Sequence, residues 1–452
     1  MPEIISIEEQ AEAIFFAGVD SVLPNKLIRN QMRLIGDVLT ICGEPYDLHN
    51  IHHIYVIGAG KAVALMAQET ELVLGNRITA GHVVTKYNHG GCKLQHIGLS
   101  EAAHPVPDKN GLNATVKISK IALEAQENDL VICLLSGGAS ALFADTPSGI
   151  SIEDLRITNE LLIKSGVSIR EINIIRKHLS DIKGGQLAQL IHPASCVSLI
   201  LSDVVGDPVD IIASGPTAPD NSDFTEVYAI VRKYKLDKTL PETVIKRMLL
   251  GSAGLIPETP DVFHPCFQKT RNFIIGSNKI ALEACATFAI KNGFSTHIIT
   301  DSLQADYTQV ADFILKTITS FLANKTAVLP LCLLFGGEPT VKVKGNGLGG
   351  RNQHLAVYLA NKLLDKPGIT ILCAGTDGND GPTETAGAVV SSKTLETAQS
   401  TGTDIFQYLE RYDSYHFLKK VGGRIVTGPT RTNVMDIIVV LINLHKRPHH
   451  PD

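Results

Sequence analysis

From Ile54 onward, short apolar runs alternate with longer amphipathic stretches, and that rhythm narrows the folds open to the chain. Ile54 to Ile57, Gly81 to Thr85, Leu130 to Leu135 and Val197 to Leu201 have the length and composition of strands. Lys61 to Leu74, Asp108 to Glu127 and Ser168 to Leu190 carry apolar residues at helical spacing. Strands separated by helices pair in parallel, because each helix carries the chain back along the sheet, and such sheets are buried on both faces. The expected class is therefore α/β.

Residues 251–265 hold three prolines and little periodicity, which marks a boundary. A second alternation follows, with strands at Phe273 to Ile275, Thr296 to Thr300, Leu331 to Phe335 and Thr370 to Cys373, and helices from Lys279, Tyr307 and Asn352. The first fifty residues read as helix, from Ile7 to Val22 and from Leu27 to Ile41. A chain of 452 residues exceeds what one core supports. The expected division is an N-terminal domain over 1–250, a linker over 251–266 and a C-terminal domain over 267–452.

Charge and composition exclude several classes. A formal charge of -5 with scattered Lys and Arg gives no basic field for a nucleic-acid backbone. No apolar run reaches the roughly 20 residues that span a bilayer, and no basic-then-apolar leader opens the chain, so a cytoplasmic protein without a membrane partner is expected. The eight cysteines lie far apart and form no Cys-x-x-Cys pair, which fits reduced core thiols rather than a zinc site. His449 and His450 sit in a tail expected to fray rather than to bind metal.

Ligands in open α/β sheets settle beyond the carboxyl ends of strands, and four turns there are rich in glycine and polar groups. Gly58-Ala59-Gly60-Lys61 follows Tyr55-Val56-Ile57, so a close backbone approach, a helix start and one lysine favour an anion. It is neither a P-loop nor the dinucleotide fingerprint, which needs glycine where Val63 stands; a plain tight turn is the alternative. Ser136-Gly137-Gly138-Ala139-Ser140 suits a phosphate or carboxylate in the same way. Arg176, Lys177 and Lys183 form a potential cationic face for an acidic substrate, with surface ion pairing as the alternative for Lys177, and His178 reads as structural. Asp203 and Asp207, after a strand, offer oxygen ligands for Mg²⁺. In the second alternation, Gly336-Gly337-Glu338, the run Gly345 to Gln353 with Gly349, Gly350, Arg351 and Asn352, and the loop holding Asp377 and Asp380 combine glycine turns, an arginine fork and carboxylates.

In order, these blocks resemble the glycerate kinases that carry a MOFRL-type C-terminal region. The shared elements are Gly58 to Ala62, Ala103-His104-Pro105-Val106-Pro107-Asp108, Leu135 to Gly138, Glu171 to Ser180 with Ile182 to Gly185, Ser202-Asp203-Val204 with Gly206-Asp207, and Ala213 to Thr217. Gly336 to Glu338, Gly349 to Gln353, and Gly375 to Gly378 with Asp380 to Thr383 complete the set, over about residues 55 to 440. The resemblance implies two domains: an N-terminal Rossmann-like parallel sheet sandwiched by helices and a smaller C-terminal α/β domain, with the active site in the cleft. It also implies phosphoryl transfer from ATP to the 2-hydroxyl of D-glycerate. Two positions depart from the family pattern: Ala139 stands where a third glycine is expected, and Arg431 replaces glycine in Gly428-Pro429-Thr430-Arg431-Thr432-Asn433.

On this reading Lys61 and Arg351, from opposite domains, act at the reacting centre, with Asp203 as a catalytic or metal-binding acid. Gly58, Gly60, Ser136, Gly137, Gly138, Ser140, Gly349 and Gly350 are expected to bind nucleotide or phosphate, and Arg176, Lys183 and Asn352 the acid. Asp203, Asp207 and Asp377 are the expected Mg²⁺ ligands. Two rivals remain: an NAD(P)H-dependent hydroxypyruvate reductase, which Val63 disfavours, and a non-catalytic sugar-acid binding protein. Oligomeric state is open, a homodimer included.

Overall fold

Strands Gly98–Ala102, Ile78–Lys86, Ile54–Ala59, Leu130–Ser136, Ser195–Leu201 and Thr270–Gly276 lie side by side in that order, and the first five pair in parallel. This is a computed structural model, which describes residues 6–323, 328–363 and 366–443; the tail pair His449 and His450 lies outside them. Successive strand residues face opposite sides of a sheet. Tyr55, Ile57, Val131 and Cys133 pack with Ala114, Ile118 and Ala122 of helix Lys109–Glu124, while Val56, Ile132 and Leu134 turn to the other face and are equally buried. Helix Val63–Leu74 packs against Ile78–Lys86 and Leu130–Ser136. Burial on both faces is why these strands read as continuous apolar runs.

The chain divides into two units, one of residues 24–275 and one of residues 1–23 with 276–452. The expected boundaries differ from this at both ends. Strand Thr270–Gly276 forms the edge of the first sheet, so the stretch 251–266 lies within the first unit. Helix Ile7–Ser21 packs against helix Asn278–Lys291 in the second unit. The helix expected from Leu27 to Ile41 stops at Gln31, after which Met32–Ile35, Val38–Ile41 and Glu44–Asp47 form an antiparallel meander. Its two-residue turns, Gly36-Asp37 and Cys42-Gly43, place Gly36, Cys42 and Gly43 at positive φ, which suits tight hairpins.

The second unit holds a mixed sheet: Ser295–Leu303, Leu331–Gly337, Asp436–Ile442, Ile369–Gly375, Gly387–Ser391 and Arg424–Ile425. The first pair is parallel and the rest antiparallel. The last strand in sequence sits at the centre, and every residue from Asp436 to Ile442 is buried. Helix Arg351–Lys362 covers one face through Leu355, Ala356, Leu359 and Ala360. Among the described residues, no helix is long and apolar enough to cross a membrane.

Candidate functional site

In the unit of residues 24–275, three strand ends meet. The Lys61 amide donates to the Gly137 carbonyl at 2.9 Å, and the Ala62 amide to Ser136 Oγ at 3.0 Å. Ser136 is thus a tie between two turns, and its hydroxyl is already an acceptor. Gly60 adopts φ +143°, and a Cβ there would come within 2.1 Å of Ser136 Oγ, so only glycine allows the turns this close. A Cβ on Gly137 would lie 2.0 Å from Asp203 Oδ2, which places the Asp203 carboxylate directly over that backbone. Above Gly138, the His104 ring and Lys61 Cε converge: a Cβ there would meet them at 3.1 and 3.2 Å. Gly58 packs against the Leu134 carbonyl and is a packing position. The site therefore gathers Lys61, His104 and Asp203 around one glycine pair.

Burial pushes the pKa of His104 down to about 4, and Lys61, Lys86 and His89 push the same way. At neutral pH its imidazole is uncharged and Lys61 provides the positive charge over Gly138. Asp207, at φ +53°, lies in the turn after Ser195–Leu201, where its amide donates to the Val204 carbonyl at 3.1 Å. Ser140 Oγ shares a 3.0 Å hydrogen bond with Ser214 Oγ.

The cationic face expected from Arg176, Lys177 and Lys183 resolves into different roles. Lys177 is buried and pairs with Asp220 at 3.2 Å and Asp210 at 3.5 Å, the ion-pair alternative. Lys183 Nζ donates to the Phe143 carbonyl at 2.7 Å and to Asp145 at 2.8 Å, so its charge has a protein partner. Arg176 Nε donates to Asn159 Oδ1 at 2.8 Å, and burial lowers its pKa. His178 is buried and its Nδ1 bonds the Ile174 carbonyl at 2.9 Å, as expected for a structural residue.

In the second unit, Arg351 opens helix Arg351–Lys362. Its Nε donates to Asp436 Oδ2 at 2.6 Å, its Nη2 to Asp436 Oδ1 at 2.9 Å, and its Nη1 pairs with Glu338 at 2.8 Å. Burial alone would lower its pKa, but Asp436 and Glu338 outweigh that and hold it charged. The helix start does not offer the open anion cradle expected of Gly349 and Gly350. Asp380 already accepts from the amides of Asn352 at 3.0 Å and Gln353 at 2.8 Å. The two glycines make room for neighbours instead: a Cβ on Gly350 would fall 2.2 Å from Asp380 Cγ, and one on Gly349 2.2 Å from Ser414 Oγ. Burial raises Asp380 to about 6 against the pull of those hydrogen bonds. Asn352, expected to touch substrate, is buried with its amide 3.4 Å from Asp380.

Asp377 Oδ1 accepts from the Asn379 amide at 3.0 Å, and it flanks Gly375 together with Asp436 Oδ1, each 3.3 Å from where a Cβ would stand. Among the described residues, no group of three or more His, Cys, Asp or Glu is placed to hold a metal. Arg431 keeps the turn that glycine would form, at φ +64°. Asp436 escaped sequence reasoning, although an acid directly ahead of the apolar run Ile437 to Ile442 was its visible signal. His104 stood in a quoted motif without a role.

Residues 10–249 match a family described as a domain of unknown function (DUF4147), and residues 331–436 match the MOFRL family. The chain is 37% identical to the D-glycerate 2-kinase of Thermotoga maritima, over 97% of this chain and 99% of that protein. It is 38% identical to the glycerate 2-kinase of Pyrococcus horikoshii, over 93% of each. The crystal structure of a glycerate kinase from Thermotoga maritima matches with a TM-score of 0.86 at 37% identity, covering 96% of this chain and 99% of that one.

Proposed function

Because the chain belongs to the glycerate kinase family that joins the DUF4147 and MOFRL regions, we infer that it is a glycerate 2-kinase, moving the phosphoryl group of ATP to the 2-hydroxyl of D-glycerate. The products are 2-phosphoglycerate and ADP. What carries the reading to particular residues is the convergence of three strand ends on Lys61, with Asp203 over Gly137 beside it.

Phosphoryl transfer asks a protein chiefly to position the reactants and to offset negative charge spread over the transferred group. We assign that charge to Lys61, and we propose Arg351 as a further cation that acts on the reactants. Lys61 is set by the Gly60 turn and stands beside a neutral histidine; Arg351 is set by a buried carboxylate. Asp203 orients the attacking hydroxyl or takes part in metal binding. The donor set fits Mg²⁺, whose usual protein share is one or two carboxylates completed by phosphate oxygens and water. Asp203 and Asp207, in the turn after Ser195–Leu201, are the residues of the first unit that would hold it, and the ion would supply charge to the phosphate oxygens. The eight free thiols fit a cytoplasmic enzyme.

The test is an assay of purified protein with ATP, D-glycerate and Mg²⁺, coupled through enolase, which consumes 2-phosphoglycerate and not the 3-isomer. Signal that requires all three components supports the reading. Its absence, together with NADH oxidation on hydroxypyruvate in a parallel reaction, would replace it with the reductase.

A further inference from the structure

A cavity of about 270 Å³ lies within the unit of residues 24–275, with Gly138, His104, Ser140 and Arg176 among the residues that line it. Its volume equals roughly nine waters at liquid density. Leu112, Leu155, Leu162 and Ile175 give it largely apolar walls. A charged group in such walls is costly unless matched by an opposite charge.

The charges around the cavity are matched with one exception. Arg156 pairs with Glu153 at 2.6 Å and with Glu160. Lys183 pairs with Asp145 at 2.8 Å, and Asp145 also accepts from Ser180 Oγ and the Asp181 amide, so its charge is taken up where it stands. His104 is neutral. Arg176, half-buried, has only the neutral Asn159 amide oxygen on its Nε, and no acid among the described residues offsets the cost of its burial. Its remaining guanidinium donors have the fork geometry that suits a carboxylate.

We propose that this cavity is the acceptor-acid site, in which Arg176 pairs with the carboxylate of a short 2-hydroxy acid whose other end reaches toward Gly138. The inference rests on the kinase reading and deepens it. It makes Arg176 rather than Lys183 or Asn352 the residue that selects an acid. Arg176 engages the carboxylate common to short 2-hydroxy monocarboxylates, so the site recognises them as a class.

The test measures KM for D-glycerate and for ATP, and calorimetric binding of D-glycerate and D-lactate, in wild type, Arg176→Gln and Arg176→Lys. Loss of a charge-assisted pair predicts at least about a tenfold weaker glycerate KM and Kd in Arg176→Gln, with ATP KM within about twofold. Arg176→Lys, which retains charge and the aliphatic stem but not the fork, falls between and keeps the test readable should the Gln variant misfold. D-Lactate competes with glycerate in wild type. Unchanged glycerate KM and Kd in both variants, or no competition by D-lactate, overturns the proposal while leaving the kinase reading intact. Conversely, carboxylate binding that depends on Arg176 in a protein that phosphorylates no acid supports the site and removes the kinase reading.

Discussion

Asp436→Asn is the perturbation that isolates how Arg351 is held. The wild-type carboxylate is buried and accepts two bonds from one guanidinium, at 2.6 and 2.9 Å, whereas Glu338 on the third nitrogen is half exposed. Asparagine preserves volume but keeps one acceptor oxygen and turns an NH₂ group toward a donor. One charge-assisted bond is worth about 1.5–3 kcal/mol, so losing one and introducing a donor–donor contact corresponds to roughly a 10- to 100-fold fall in kcat/KM. Glu338→Gln removes a solvent-screened pair worth about 0.2–1 kcal/mol and should change kcat/KM by no more than about fivefold. Steady-state kinetics on both variants, with circular dichroism to confirm folding, gives the ratio. Asp436→Asn within twofold of wild type, or Glu338→Gln the worse of the two, refutes the assignment of Asp436 as the positioning group.

Gly137→Ala drives a methyl into the space of Asp203 Oδ2; because the obstacle is a side-chain tip, the variant should fold with a Tm within a few degrees of wild type while losing at least about tenfold in kcat, and normal kcat would detach Asp203 from the reaction. His354 is buried between Tyr307 and Tyr412, neither ring nitrogen meets a partner among the described residues, and burial lowers its pKa to about 4. The unfolded chain takes up that proton below about pH 6.5 and the folded chain only below about 4, so stability is lost as pH falls through that window. His354→Phe should therefore gain about 2 kcal/mol over wild type on going from pH 7.5 to pH 5, read by denaturant melts, and a pH-independent difference would contradict it. Arg431→Gly removes a left-handed non-glycine residue and should stabilise by about 1 kcal/mol in the same assay; destabilisation would show that the Arg431 side chain contributes more than its backbone costs.

The alternation of strands and helices was legible because parallel strands buried on both faces leave unbroken apolar runs, as in Leu130 to Leu135. The meander after Gln31 was not, since Ile28, Met32, Ile35 and Leu39 recur at helical spacing, and the turns at Gly36 and Gly43 decide the matter. The unit division was hidden by long-range packing: nothing local in Ile7–Ser21 says that it belongs with a helix starting at Asn278. At the site, glycine spacing drew attention to Gly60, Gly137 and Gly350, but could not say what fills the space each one vacates. Two of those spaces hold the chain's own carboxylates, Asp203 and Asp380. Whether a lysine is matched internally is likewise a tertiary fact; nothing local to Lys183 announces its pairing with Asp145.

The central claim is that the turn at Gly60 delivers Lys61 to the transferred phosphoryl group. Rapid-quench single turnover with γ-labelled ATP and saturating D-glycerate, in wild type and Lys61→Ala, measures that step alone. The account predicts a loss of at least about a hundredfold in the rate of label transfer to 2-phosphoglycerate, the scale of removing one charge-stabilising donor. Label transfer in Lys61→Ala at a rate within a few-fold of wild type would contradict it.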